Sequence, residues 1–98
     1  MRIVFADERL GRICTDEAHK LGLPIAVISA ARRRLIQLDA ARDERDLRNL
    51  KGMHYKKLVG AREGQRSVRI NDQYRIVFTV DEAERPPVIR ILEIGDIH

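Results

Sequence analysis

Ninety-eight residues, 19 lysines and arginines against 15 acids, a single cysteine and no tryptophan bound this chain to one small domain, expected over residues 1–98. Cys14 alone excludes an internal disulfide framework or a cysteine-based zinc site. No apolar run approaches the roughly 18–20 residues of a membrane span, and Asp7 interrupts the first apolar stretch too early for a secretory leader. The expectation is a cytoplasmic protein with a shallow site on a small sheet.

Arg2–Phe5 is short and β-branched and predicts a first strand. Asp7 is a suitable cap for a helix over about Glu8–Leu21, which Gly22 ends and which Gly11 weakens. Pro24 suits the start of a second helix running to about Ala41. Its apolar residues Ile28, Ala31, Leu35 and Leu38 recur at helical spacing and form one stripe. Arg32, Arg33 and Arg34 fan around the other side, as a solvated face or part of a protein interface. Arg42–Leu50 reads as a charged connection with a helical turn near Glu44–Leu47. Beyond it the period changes from helical to alternating. Lys56–Val59, Arg66–Ile70, Tyr74–Val80 and Val88–Ile94 have strand composition, separated by Gly60, by Asn71-Asp72 and by Asp81–Pro87. The fold class is therefore α+β: two N-terminal helices packed on one face of a small twisted, mainly antiparallel sheet whose other face is open.

The net charge of +4 is unevenly spread. Residues 48–75 hold eight basic side chains and two acids, net +6, more than the whole chain. Such a concentration suits a polyanionic partner, because neutralising phosphates releases counterions. Strand parity sharpens the point. If Val68 and Ile70 face the same core as Tyr74, Ile76, Phe78 and Val80, then Ile70 lies opposite Tyr74 and Asn71-Asp72-Gln73 is a three-residue loop. Arg69 then stands across from Arg75 on the open face. Like charges in a cross-strand pair repel, so an anion gripped by both guanidinium groups is the economical explanation.

Cleavage of RNA by its own 2′-hydroxyl needs a base, positive charge on the crowded phosphorus and an acid for the leaving oxygen. The titratable groups near the hairpin are His54, Lys56 and Lys57, with Asp96 and His98 at the end of the last strand. Asp96 could orient the His98 imidazole or raise its pKa. The histidines and acids lack metal-ligand spacing, no glycine-rich phosphate loop is present, and Phe5, Tyr55, Tyr74 and Phe78 are too few for a stacking platform.

The segment 58–76, LVGAREGQRSVRINDQYRI, resembles the HigB branch of the RelE/ParE toxin superfamily. The shared pattern is a Leu-x-Gly-x-Arg-x-Gly turn, a Ser-Ile-Arg-Ile-Asn-x-Gln-aromatic-Arg hairpin and a closing Asp-Tyr-His. Leu38-Asp39-Ala40-Ala41 and Asp46-Leu47-Arg48 extend the likeness over most of the chain. The resemblance implies the RelE-like microbial RNase fold and the toxin of a type II toxin–antitoxin pair. It further implies a ribosome-dependent mRNA endonuclease without metal or cofactor that inhibits translation. Its partners would be the ribosome, mRNA and a helix-turn-helix antitoxin, through which it reaches operator DNA. By position Arg75 matches the phosphate-stabilising arginine, and Asp96 and His98 match the closing acid and histidine. Three positions depart: Ile97 replaces the tyrosine, and the columns of a His and a Lys in relatives fall on Lys56 and Val59, with Lys57 and His54 near enough to substitute. The expected catalytic set is Lys56, Lys57, Arg75, Asp96 and His98, with His54, Arg62, Arg66 and Arg69 binding phosphate. The rival readings are a ParE-like toxin acting on DNA gyrase and an inactive antitoxin-binding module.

Overall fold

The computed structural model describes residues 1–97. Its strands are β1 (Arg2–Phe5), β2 (Lys56–Lys57), β3 (Arg66–Arg69), β4 (Tyr74–Asp81) and β5 (Val88–Asp96), in the spatial order β1-β5-β4-β3-β2. β1 runs parallel to β5 and the other pairs are antiparallel. Helices α1 (Ile25–Ala40) and α2 (Glu44–Asn49) belong to the layer that closes one face. The core between the layers joins the α1 stripe, Ile28, Ala31, Leu35 and Leu38, to Val68, Ile76, Phe78, Ile89 and Ile91 of the sheet. Among the described residues no helix is long and apolar enough to cross a membrane.

The first expected helix departs from its prediction. Residues 8–21 form two 3₁₀ segments, Glu8–Cys14 and Ala18–Leu21, instead of one α-helix. Thr15 sits between them in extended conformation, and its hydroxyl donates to the Arg12 carbonyl at 2.8 Å and accepts from the Glu17 amide at 3.1 Å. A threonine bonded to nearby backbone competes with the helical ladder. Arg32 of α1 completes the diversion by donating to the carbonyls of Ile13 at 2.6 Å and Thr15 at 2.8 Å. Gly22 ends the segment in the left-handed region, at φ +73°, as expected of a terminating glycine. Arg32 is therefore structural, not a free solvated cation.

Two smaller departures have equally local causes. α2 is longer than the single turn expected, because the Asp43 carboxylate caps it by accepting from the amides of Arg45 and Asp46 at 3.0 and 3.3 Å. β2 is shorter than expected: one further bond, from the Leu58 amide to the Gln65 carbonyl at 3.0 Å, precedes a 3₁₀ turn at Gly60–Arg62. At the far end of α1, the Met1 backbone nitrogen donates to the carbonyls of Asp39, at 2.8 Å, and Ala41. These carbonyls would otherwise be orphaned at the helix terminus.

A bulge sets the facing of β5. Val77 pairs with Glu93 and Phe78 with Ile91, so Leu92 is the extra residue. The shift keeps Ile89, Ile91 and Ile94 all buried in the core, although strict alternation would expose one set.

The sheet's rim above α2 is closed by a polar cluster. Glu44 accepts from the Tyr55 hydroxyl at 2.9 Å and from Arg66 Nε at 2.8 Å, while the Arg48 guanidinium lies 5.8 Å from the centre of the Tyr55 ring. Burial first, and then the bond to Glu44, pushes the Tyr55 phenol above its ordinary range. The unfolded chain therefore releases that proton before the folded one. The contribution to stability is whole below the ordinary tyrosine value of about 10 and is lost as pH climbs through the raised folded value. Tyrosinate absorbance followed against pH should show one phenol ionising late, and Tyr55→Phe should remove that late step. In the core, Leu38 is fully buried; Leu38→Ala should lower the unfolding free energy by about 2–5 kcal/mol in urea titrations.

Candidate functional site

The β3–β4 hairpin has the register expected from its parity. The Ile70 amide donates to the Tyr74 carbonyl at 2.8 Å, and Arg69 is paired directly with Arg75. Asn71 sets the loop: its side-chain oxygen accepts from the amides of Gln73 at 2.9 Å and Tyr74 at 2.8 Å. β2 adds Lys56 opposite Ser67 and Lys57 opposite Arg66. Because alternate residues take opposite faces, Lys56, Ser67, Arg69 and Arg75 share the open face. Lys57 and Arg66 do not.

That face carries a cleft of about 400 Å³ whose lining includes His54, Lys56, Arg62, Arg69 and Arg75. Five of the expected site residues are thus brought together. Lys57 and Arg66 are set apart from it, by the same parity that places their neighbours inside, and Arg66 is held by Glu44 on the helix side. Asp96 stands at the end of β5 opposite Tyr74, where its carboxylate accepts from Gln73 Nε2 at 2.9 Å. Ile97 lines the cleft in the place where the resemblance expects a tyrosine. His98 lies outside the described residues.

Arg75 is the most firmly placed cation of the cleft. Its Nε donates to Ser67 Oγ at 2.9 Å and its Nη2 to the His54 carbonyl at 2.7 Å. Burial, and secondarily the charge of Arg69, lowers its pKa, yet an arginine starts so far above neutrality that it stays cationic. Ser67 is fully buried although it faces the cleft. His54 reaches its position through a left-handed backbone, φ +47°, a conformation held only where the surroundings determine it. This turn aims the carbonyl at Arg75 and brings the imidazole Nε2 to 3.5 Å from Arg69 Nη1. Arg69 also pairs with the Asp72 carboxylate.

The open face is less open than the sequence implies. Val77 is fully buried there, outside the main core cluster. Arg62, from the turn after β2, pairs with Glu93 across from Val77, at 3.0 Å, and this turn forms one wall of the cleft together with Leu58.

Two contributors were not legible as site residues. Ser67 could be assigned to the open face by parity, but nothing in its surroundings announced a ligand for Arg75. Arg34 gave no signal beyond membership of an arginine run. From α1 it donates to the Arg69 carbonyl at 2.7 Å, the Gly52 carbonyl at 2.8 Å and Gln37 Oε1 at 2.8 Å. It thereby ties the helix to β3 and to the loop that carries His54. Burial, followed by the charges of Arg69 and Arg33, lowers its pKa.

Comparison with known proteins agrees with this architecture. Toxin HigB-1 of Vibrio cholerae serotype O1 is 36% identical over 78 residues, which cover 80% of this chain and 82% of that protein. Two solved structures share the fold. The YoeB/ParE toxin from Agrobacterium tumefaciens superposes with a TM-score of 0.63 at 14% identity, covering 100% of both chains. The YoeB-YefM complex from Staphylococcus aureus contains a chain with a TM-score of 0.65 at 19% identity, covering 100% of this chain and 98% of that one. The family described as "RelE-like toxin of type II toxin-antitoxin system HigB" matches residues 3–87, from β1 to the loop before β5. By this match and by its likeness to the Vibrio toxin, the chain belongs to the RelE-like HigB toxins of type II toxin–antitoxin systems.

Proposed function

We propose that this toxin is a ribosome-dependent mRNA endoribonuclease that needs neither metal nor cofactor, inhibits translation in the cytoplasm and is neutralised by a helix-turn-helix antitoxin. The observation that carries the reading is the Arg75 guanidinium, fixed by Ser67 and the His54 carbonyl in a cleft lined by Lys56, Arg62 and Arg69. A charge held in place before the reaction stabilises the crowded phosphorus without reorganisation. In the reaction the 2′-oxygen attacks the adjacent phosphorus and the bond to the 5′-oxygen breaks. A 2′,3′-cyclic phosphate and a 5′-hydroxyl remain.

Lys56 and His54 are the candidates for taking the 2′-hydroxyl proton, and His98, on the strength of the family pattern, for returning one to the leaving oxygen. Asp96 acts from the strand end, where it holds Gln73. Lys57 and Arg66 have no part in this scheme, because their strand positions turn them away. The described lining holds no tyrosine, phenylalanine or tryptophan, and this sparse stacking surface suits a strand that is oriented from outside. The ribosome supplies that orientation, at a gain in proximity that a small cleft cannot provide. The same basic cleft favours RNA over a purely protein target such as gyrase. The Staphylococcus neighbour is solved as a YoeB-YefM complex; here a cognate antitoxin is proposed to act similarly and to carry the pair to operator DNA.

Mapping of mRNA 5′ ends after brief induction tests the reading. Wild-type protein should cut translated messages, and Arg75→Ala should reduce cutting by about 10²–10³-fold, the usual loss of a transition-state donor. Unchanged cutting by that variant would overturn the assignment; growth arrest without new ends, together with inhibited supercoiling, would move the target to gyrase. Lys56→Ala should impair cleavage, whereas Lys57→Ala should leave it nearly intact. Ser67→Ala removes a bond to a charged group, and cleavage should fall by about 10–100-fold while antitoxin binding persists.

A further inference from the structure

We propose that Arg69 and His54 form a second phosphodiester seat beside the Arg75 centre, and that the Asp72 carboxylate fills this seat in the RNA-free protein. The proposal rests on the reading of the cleft as an RNA site and goes beyond it. The sequence suggested one anion gripped by Arg69 and Arg75 together. In the structure their hydrogen bonds diverge: Arg75 donates to Ser67 and the His54 carbonyl, whereas Arg69 faces the His54 ring and Asp72. Two diverging forks make two seats.

Asp72 is the one acid among the described residues that line the cleft. A carboxylate and a phosphodiester present the same monoanionic pair of oxygens to a guanidinium fork. Asp72 therefore occupies the position that a backbone phosphate would take. The turn does not need it, because Asn71 supplies the side-chain acceptor for the loop amides. Its side chain is 94% exposed, against 33% for Arg69, and pairs so open to solvent contribute little and exchange readily. Arg69, by contrast, stands on a fixed base. Its amide donates to the Met53 carbonyl at 2.7 Å and its carbonyl accepts from Arg34 at 2.7 Å. The seat is rigid and its occupant is movable.

The consequence is discrimination between substrates. Free RNA must displace Asp72 from dilute solution and binds weakly. The cost of displacing Asp72 is the same for a message held on the ribosome, but its phosphate arrives at so high an effective concentration that the seat still fills. Asp72 thus acts as a specificity residue, favouring presented strands over free ones.

The probe is a short RNA with a 2′-O-methyl group at every position, which lacks the attacking hydroxyl and cannot be cleaved, followed by fluorescence anisotropy over a series of salt concentrations. Asp72→Asn should tighten binding by about 3–10-fold and steepen the salt dependence by about 0.7 in the logarithmic slope, the increment of one more single-strand phosphate contact. Asp72→Ser, with unchanged thermal unfolding, should do the same and guards against a folding artefact of the first variant. In an Arg69→Gln background the gain should vanish, since the two substitutions act on one seat. A gain that persists without Arg69, or no gain in either variant, overturns the proposal. Failure of wild-type and variants alike to bind the probe at low salt also overturns it. Because the probe is inert, a protein that binds it as expected but makes no cuts in translated messages would remove the nuclease reading and leave the second seat standing.

Discussion

Side chains on a strand alternate between faces, so a slip of one residue in the β3–β4 hairpin would carry Arg75 into the apolar layer and Ile76 out of it. Everything in the cleft depends on that not happening. Asn71 fixes the loop by accepting from two amides, and Val68, Ile76 and Phe78 hold the strands by full burial. Burying each of these side chains contributes about 1.5–3 kcal/mol. The repulsion between Arg69 and Arg75, facing each other in the pair, is about 0.2–1 kcal/mol. The core therefore wins, and the like-charge pair is imposed on the open face as a by-product of register. Lys56 and Ser67 arrive on that face through the same alternation, extended by one strand to β2.

The fold accommodates the pair by turning the two guanidinium groups toward different acceptors. Arg75 finds Ser67 from β3 and the His54 carbonyl from the loop before β2, both held by neighbouring elements, while Arg69 finds the exposed Asp72 carboxylate at the hairpin tip. Arg34 holds this arrangement from behind, where its three donors join α1, β3 and the Gly52 carbonyl. The left-handed His54 backbone is kept in place by this bracing on one side and by the Arg75 bond on the other. An all-surface site thus acquires the rigidity usually associated with a deeper one.

How far the sequence revealed this differs between the levels of structure. The sheet was legible because β-branched residues alternate across 66–80, and the hairpin parity alone located Arg69 opposite Arg75. The α1 stripe was legible from its spacing. The first helix was not, because its disruption comes from Arg32, a residue of another element that takes the carbonyls of Ile13 and Thr15. The misplacement of Lys57 and Arg66 with the cleft residues has a similar origin. Composition counts charges without faces, and the parity of β2 becomes known only when its partner in β3 is known. Ser67 and Arg34 matter through distant hydrogen bonds, which leave no periodic trace in a single sequence.

The position of β5 has a bearing on when the cleft is completed. β5 lies between β1 and β4, although it follows both in the chain, and Arg2 finds its partner only when Val88 has been made. During synthesis β1 waits for most of the chain, and β4, the strand of Arg75, lacks one of its two neighbours until β5 emerges. Long-range pairing of this kind is completed late. A chain that has not yet reached β5 thus carries the basic hairpin without one flank of the sheet that makes it rigid, so the cleft takes its final form only once β5 has docked between β1 and β4.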